Sequence, residues 1–93
     1  MWYVYILQCR DKTLYTGITN DPAQRLHTHN AGKGAKYTRC RLPVEIVYLQ
    51  EIESQSQALR LEYEIKQRNR KEKLQLITEN QEKTCFLLQD VIT

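Results

Sequence analysis

The chain opens on a nearly unbroken apolar run, Trp2 to Leu7, rich in aromatic and β-branched residues. Closed by Gln8, this run predicts a strand, Trp2–Gln8, buried on both faces. Cys9–Lys12 is polar and turn-like, and Thr13–Ile18 returns to strand character. Two strands this close should pair as an antiparallel hairpin. Asp21-Pro22 then marks a helix start, with Asp21 as N-cap, Pro22 in the first helical position and Gln24 three residues past the cap. That helix should run to about Ala31 and stop at Gly32. Val44–Gln50, introduced by Pro43, reads as a third strand. Ser54 or Ser56 caps a second helix through about Arg68. Asn69 with Glu72 caps a third, which carries Leu74 and Ile77. Glu79–Lys83 is polar. Thr84–Ile92 is apolar again and fits a short helix as well as a strand.

The order β-β-α-β-α-α predicts an α+β fold, a small three-stranded antiparallel sheet flanked by helices. An odd connection such as Cys9–Thr13 places Tyr5 opposite Gly17 and turns Tyr5 and Tyr15 to the same side of the hairpin. An even one would separate them. Ninety-three residues, 41% of them apolar, suffice for one domain with a small core. We read residues 1–78 as its body and 79–93 as a C-terminal extension. No apolar run approaches the ~18 residues of a membrane span. The apolar N-terminus lacks a basic leader and a small-residue cleavage site, so it reads as a strand of the mature protein and the chain as cytoplasmic. Cys9, Cys40 and Cys85 are far apart and form no CxxC pair, which fits reduced thiols rather than a disulfide framework or a zinc site.

The net charge of +3 is a weak signal on its own. Its distribution says more. Lys33, Lys36, Arg39 and Arg41 follow one another with no acid between them, on a loop that Gly32 and Gly34 should make mobile. This segment is the candidate phosphate-backbone contact.

Among residues that bear chemistry, Glu62 is the least ordinary. Ala58, Leu59, Leu61 and Ile65 define the apolar face of the second helix. Glu62 projects roughly 45° from the centre of that face and Glu64 about 115°. Glu64 is a solvated acid. Glu62 is turned inward, where a carboxylate needs a cationic partner or a metal. A rim ion pair with a Lys or Arg is the plainer of these readings. In the first helix Arg25 and His29, four apart, share a face. Two groups of like potential charge do not stabilise a helix, but they suit a bound phosphate. The plainer reading is a solvated face, and His27 points elsewhere. Tyr3, Tyr5, Tyr15 and Tyr48 fit strand packing. Gly17 inside a strand marks a bulge or a close approach. The sequence has no GxxxxGKS loop, no HExxH and no GxSxG, so ATPase, zinc-protease and α/β-hydrolase readings have no support.

Together these residues resemble the GIY-YIG nuclease domain, in particular its small bacterial single-domain members. Tyr3-Val4-Tyr5 is followed, ten residues after Tyr5, by Tyr15-Thr16-Gly17. Then come Arg25-Leu26-His27-Thr28-His29-Asn30, Gly32-Lys33-Gly34-Ala35-Lys36-Tyr37-Thr38, Glu62 through Lys66, and Lys73-Leu74-Gln75-Leu76-Ile77. The resemblance covers about residues 1–78 and rests on the order and spacing of motifs that are weak singly. It implies a metal-dependent endonuclease acting on DNA, with RNA not excluded, in repair or recombination. Tyr5 and Tyr15 would be its two motif tyrosines, Arg25 the phosphate-stabilising arginine, His29 the helix histidine, and Glu62 the carboxylate for Mg²⁺ or Mn²⁺. Tyr15 is then the base or water positioner, with His29 as the alternate. Two positions depart from the pattern. Tyr3 stands where the motif has Gly, and Ile18 stands where the repair-incision branch has a Lys beside the active tyrosine. Two other readings compete: a nuclease fold that binds nucleic acid through Lys33, Lys36, Arg39 and Arg41 without cutting, and an adaptor that docks a protein partner through the 84–92 tail.

Overall fold

A computed structural model of the chain describes residues 1–92, and the side chains of residues 1–91. Three strands, β1 (Trp2–Gln8), β2 (Leu14–Thr19) and β3 (Glu45–Ile52), form an antiparallel sheet in the order β2-β1-β3. Helices α1 (Pro22–Asn30), α2 (Gln55–Lys66), α3 (Arg70–Glu79) and α4 (Gln81–Ile92) pack around it. The sheet and the first three helices are those the hydrophobic pattern predicts. The segment that fitted a helix or a strand is the helix α4.

The local chemistry explains the boundaries. Asp21 accepts a hydrogen bond from the Gln24 N–H at 3.2 Å, and Pro22 begins α1. Gly32 ends the turn beyond α1 with φ 78°, in the left-handed region that glycine enters without penalty. Ser54, not Ser56, caps α2. Asn69 and Glu72 exchange both bonds of a capping box at the start of α3, at 2.9 and 3.1 Å.

Tyr5 lies opposite Gly17 and Leu7 opposite Tyr15, so the hairpin connection is the odd one. Directly paired residues share a face, and Tyr5 and Tyr15 therefore do. Strand alternation divides the core in two. On one face Val4, Ile6 and Tyr48 pack with Ala58 and Ile65 of α2, and Leu76 and Ile77 of α3 flank them. On the other, Tyr5, Leu7 and Leu49 pack with Leu26 of α1 and Leu87, Leu88 and Val91 of α4. The pairing of β1 with β3 slips by one residue between Ile6 and Leu7, so Ile6 faces Tyr48 while Leu7 faces Ile46. The Oγ1 of buried Thr84 in α4 accepts a bond from the Leu49 N–H of edge strand β3 at 3.2 Å. No helix of the described residues is long and apolar enough to cross a membrane.

Two expectations need correction. Leu59, assigned to the apolar face of α2, is 48% exposed, because the sheet accommodates only the narrower stripe of Ala58, Leu61 and Ile65. In the 84–92 tail Leu87, Leu88 and Val91 pack on the chain's own sheet, and Phe86, at 66% exposure, is a large apolar group that α4 offers outward. The segment after α1 is not a loose basic loop. Lys36–Thr38 forms a 3₁₀ turn, Thr38 is fully buried, and the Gly32, Lys33 and Arg41 N–H groups bond back to His29, Thr28 and Thr38.

The two leucine-like positions of α2 give a test of this packing. Ile65→Ala, at a site with no exposure, should lower stability by about 2–4 kcal/mol in urea unfolding. Leu59→Ala should cost under about 0.5 kcal/mol. Equal effects would mean that α2 is rotated from this position.

Candidate functional site

The site begins with one residue of the central strand. The Tyr5 ring lies on the face shared with α1, over Gly17 of β2. A Cβ at Gly17 would stand 2.5 Å from the Tyr5 hydroxyl and 2.7 Å from the ring carbon that carries it. The close approach that a strand glycine signals is thus made by a tyrosine of the same sheet, and no other residue fits at position 17 without moving it.

The N-cap and Pro22 fix α1 over this ring. Its four-residue spacing brings both Arg25 and His29 to Tyr5. Arg25 Nε donates to the Tyr5 hydroxyl at 3.3 Å, and His29 Nε2 lies 3.2 Å from the same oxygen. His29 has no exposure, so it does not stand beside Arg25 as a second solvent-facing phosphate group. It lies behind Tyr5. Its other nitrogen, Nδ1, lies 3.0 Å from the hydroxyl of buried Thr38, and that hydroxyl donates to the Ala35 carbonyl at 2.9 Å.

Hydrogen-bond accounting orients this run. Thr38 has one hydroxyl proton, given to Ala35, so it accepts from His29 Nδ1–H. Nε2 is then the bare acceptor, and the Tyr5 O–H donates to it. Burial, and secondarily the charge of Arg25, lowers the His29 pKa from 6.5 to about 4, so the ring is neutral at pH 7. Burial also raises the Tyr5 pKa. The hydrogen bond and charge of Arg25 oppose that rise, while Tyr15 and Glu62 add to it. Tyr5 is therefore a neutral phenol in the free protein.

Tyr15 flanks the same histidine, edge to face, with ring centres 5.6 Å apart. Its other neighbour is Tyr37, stacked at 6.0 Å. Arg41 lies over Tyr37 at 4.1 Å from the ring centre and bonds to the Tyr37 carbonyl and to Asp11, at 2.7 and 3.0 Å. Of the four basic residues of this segment, Arg41 is committed to internal contacts. Lys33, Lys36 and Arg39 are exposed.

Glu62 belongs to α2, on the opposite face of the sheet from Tyr5. Its carboxylate is one-fifth exposed and lies 3.5 Å from Lys66, the rim ion pair of the plainer reading. Its charge nevertheless reaches the Tyr5 hydroxyl. No group of three or more His, Cys, Asp or Glu side chains gathers among the described residues. Glu62 is one hard oxygen donor. That suits Mg²⁺ or Mn²⁺, which keep several waters and complete their shell with substrate phosphate, and not an ion that needs a closed protein cage. A surface cavity of about 700 Å³ between α3 and α4, bordered by Phe86, contains none of these residues.

Sequence reasoning singled out Tyr5, Tyr15, Arg25 and His29, and the fold brings all four together. It missed Thr38 as the partner of His29. It also gave no role to Gly34, where a Cβ would collide with Nδ1 of the His29 ring and stand 2.7 Å from its Cγ. Both lie in the string Gly32 to Thr38, but nothing in residue type or spacing marks them as contacts of His29.

Comparison with known proteins identifies what this chain is similar to. Residues 1–75 match the model of the GIY-YIG catalytic domain. The chain is 54% identical over 77 residues to UPF0213 protein SH2523 of Staphylococcus haemolyticus, covering 83% of this chain and 94% of that one. It is 56% identical over 75 residues to UPF0213 protein OB0043 of Oceanobacillus iheyensis, covering 81% and 87%. The solution NMR structure of UPF0213 protein BH0048 from Bacillus halodurans is similar with TM-score 0.58 and 45% identity over 87% of each chain. That of EF2693 from E. faecalis gives 0.56 and 36% over 84% of each.

Two measurements test this geometry. Gly17→Ala must displace Tyr5 from His29, so it should cost about 1–3 kcal/mol, the range for overpacking a tight site. A neutral cost in urea unfolding would place the Tyr5 ring elsewhere. His29 also makes stability depend on pH. Its folded pKa lies below its unfolded value, so between them the unfolded chain binds the extra proton. The contribution is complete above about pH 6.5 and is lost as pH falls toward about 4. The stability gap between wild type and His29→Gln should therefore narrow on acidification across that window, and a constant gap would contradict a neutral buried ring.

Proposed function

The chain belongs to the GIY-YIG family, and from that membership and the site's geometry we propose that it is an endonuclease hydrolysing phosphodiester bonds in DNA. The observation that carries this reading is the hydrogen-bonded run from Arg25 through the Tyr5 hydroxyl to Nε2 of His29.

Hydrolysis requires a water that loses a proton, a stabilised phosphate and a leaving oxygen that can depart. The residues supply matching groups. The Tyr5 oxygen accepts from Arg25 and keeps one lone pair for a water. As the water O–H breaks, its proton passes to the Tyr5 oxygen, and the Tyr5 proton passes to His29 Nε2. The water oxygen forms the new bond to phosphorus, and the bond to the leaving oxygen breaks. A low-pKa imidazole is a weak acceptor at rest. An incoming phosphate offsets the Arg25 charge, one of the causes that lower His29, and so favours protonation of the ring. The remaining N–H groups of Arg25 hold a non-bridging oxygen. Tyr15, held by ring contacts with His29 and Tyr37, positions the water. Glu62 would hold a Mg²⁺ or Mn²⁺, which would supply Lewis acidity and charge neutralisation to the scissile phosphate when bound. Lys33, Lys36 and Arg39 contact the phosphate backbone beyond the site, a sequence-independent attraction that weakens with salt.

Nicking of supercoiled plasmid with Mn²⁺, and its loss in EDTA, is the direct measurement. Glu62→Ala should abolish nicking with the fold and DNA binding intact. Glu64→Ala, on the exposed side of α2, should do little. Tyr5→Phe should slow turnover by about 10²-fold or more, the scale of general acid–base catalysis. DNA retained in gel shift without any cutting would favour a binding module. Metal-dependent cutting by Glu62→Ala would remove this mechanism.

A further inference from the structure

We infer that Thr38 is a positioning residue that sets the tautomer of His29 and, through it, the direction in which the Tyr5 hydroxyl points its proton. The inference rests on the proposed nuclease reading for its consequence, but its physical content is independent of any reaction.

Three observations converge. First, Thr38 is fully buried within a single 3₁₀ turn, a placement that needs its hydroxyl satisfied. The Ala35 carbonyl, 2.9 Å away, takes the only proton that hydroxyl has. Its oxygen then presents a lone pair, and no donor, to His29 Nδ1 at 3.0 Å. Second, the position of the ring is fixed sterically as well. Gly34 lies against Nδ1, Cγ and Cα of His29, and any side chain there would push the ring away from Thr38. Third, the turn itself is anchored outside the site. Arg41 spans from the Tyr37 carbonyl to Asp11 in the β1–β2 connection, and the Arg41 N–H bonds to the Thr38 carbonyl at 2.9 Å.

The consequence is chemical. An imidazole in water prefers its proton on Nε2. In that form His29 would offer a donor to the Tyr5 oxygen, which already accepts from Arg25 Nε–H. The phenol would then receive two donors, point its own proton elsewhere, and have no lone pair for a water. The Nδ1–H form reverses this. Thr38 thus acts as the partner of the far nitrogen that fixes a histidine's tautomer, the usual arrangement around a working imidazole. It touches neither substrate nor reacting atoms.

The test reads the tautomer first. Long-range ¹H–¹⁵N correlation spectra of the wild-type chain with ¹⁵N-labelled histidine should show His29 protonated on Nδ1 and bare on Nε2. Thr38→Val removes the acceptor at nearly constant shape and should move His29 to the Nε2–H form. Thr38→Ser should restore the wild-type pattern. In plasmid nicking, Thr38→Val should lower kcat by about tenfold or more, as for loss of an outer partner of a functional histidine, with KM nearly unchanged. Thr38→Ser should recover it. A wild-type His29 carrying its proton on Nε2 overturns the inference, with no variant needed. So does a Thr38→Val chain that keeps the Nδ1–H form, or one that changes tautomer and cuts at the wild-type kcat. If the wild type cuts no nucleic acid while the spectra show Nδ1–H lost in Thr38→Val, the nuclease reading fails and the tautomer assignment stands.

Discussion

A neutral imidazole with no exposure has one donor and one acceptor to satisfy, and one face of this protein's sheet is arranged around that requirement for His29. Tyr5 answers one nitrogen and Thr38 the other. Each answer constrains a further residue. The reach of Tyr5 requires a glycine at position 17, and the seat of His29 requires one at position 34. The turn that delivers Thr38 is tied to the β1–β2 connection by the Arg41–Asp11 pair at its surface. A single buried ring therefore connects two strands, one helix and the segment that follows it.

The narrowness of the sheet lets the charge of Glu62 act on Tyr5 from the other face. Adjacent strands lie about 4.8 Å apart, so every residue of the central strand is one spacing from an edge. Tyr5 extends over Gly17 on the edge strand β2, and α2 packs beneath β2 and β1. The charge of Glu62 is the smallest of the causes that raise the pKa of Tyr5. A wider sheet would have separated them. Lys66, 3.5 Å from the largely buried Glu62 carboxylate, gives it a cationic partner.

What the sequence made legible follows from the range of the interactions involved. Caps, alternation and helical spacing are local, and they located the strands, the first three helices, the Tyr5–Gly17 register and the shared face of Arg25 and His29. The four-residue spacing placed those two side chains together. It did not reveal that one is buried and the other half-exposed, because that depends on where α1 sits over β1. Thr38 and Gly34 serve His29 through a turn whose shape is fixed by the Arg41–Asp11 pair, 30 residues apart in the chain. Basic residues on a glycine-containing segment looked mobile because charge and glycine are visible in sequence while a long-range tether is not. Leu59 was misplaced for a related reason. Helical periodicity gives the direction of a face but not the width of the groove that receives it.

The sheet face that carries the site also has to contribute to stability, and here α4 matters. In a chain of this length a face given over to a polar run of Arg25, Tyr5 and His29 buries less apolar surface than an ordinary core layer would. Helix α4 lies beyond the segment matched by the family model, yet it covers the rest of that face with Leu87, Leu88 and Val91. Thr84 also takes up an N–H of the exposed edge of β3, which otherwise would be a ready site for strand pairing with another chain. The polar network sits between β1, β2 and α1, while the apolar packing sits between β1, β3 and α4. The two halves share the central strand, where Tyr5 joins the network to the core and Leu7, two residues on, serves the core, and they share α1, whose Leu26 packs in the same cluster. Strand alternation keeps both on one face, so chemistry and packing occupy neighbouring positions of β1 without competing for the same space.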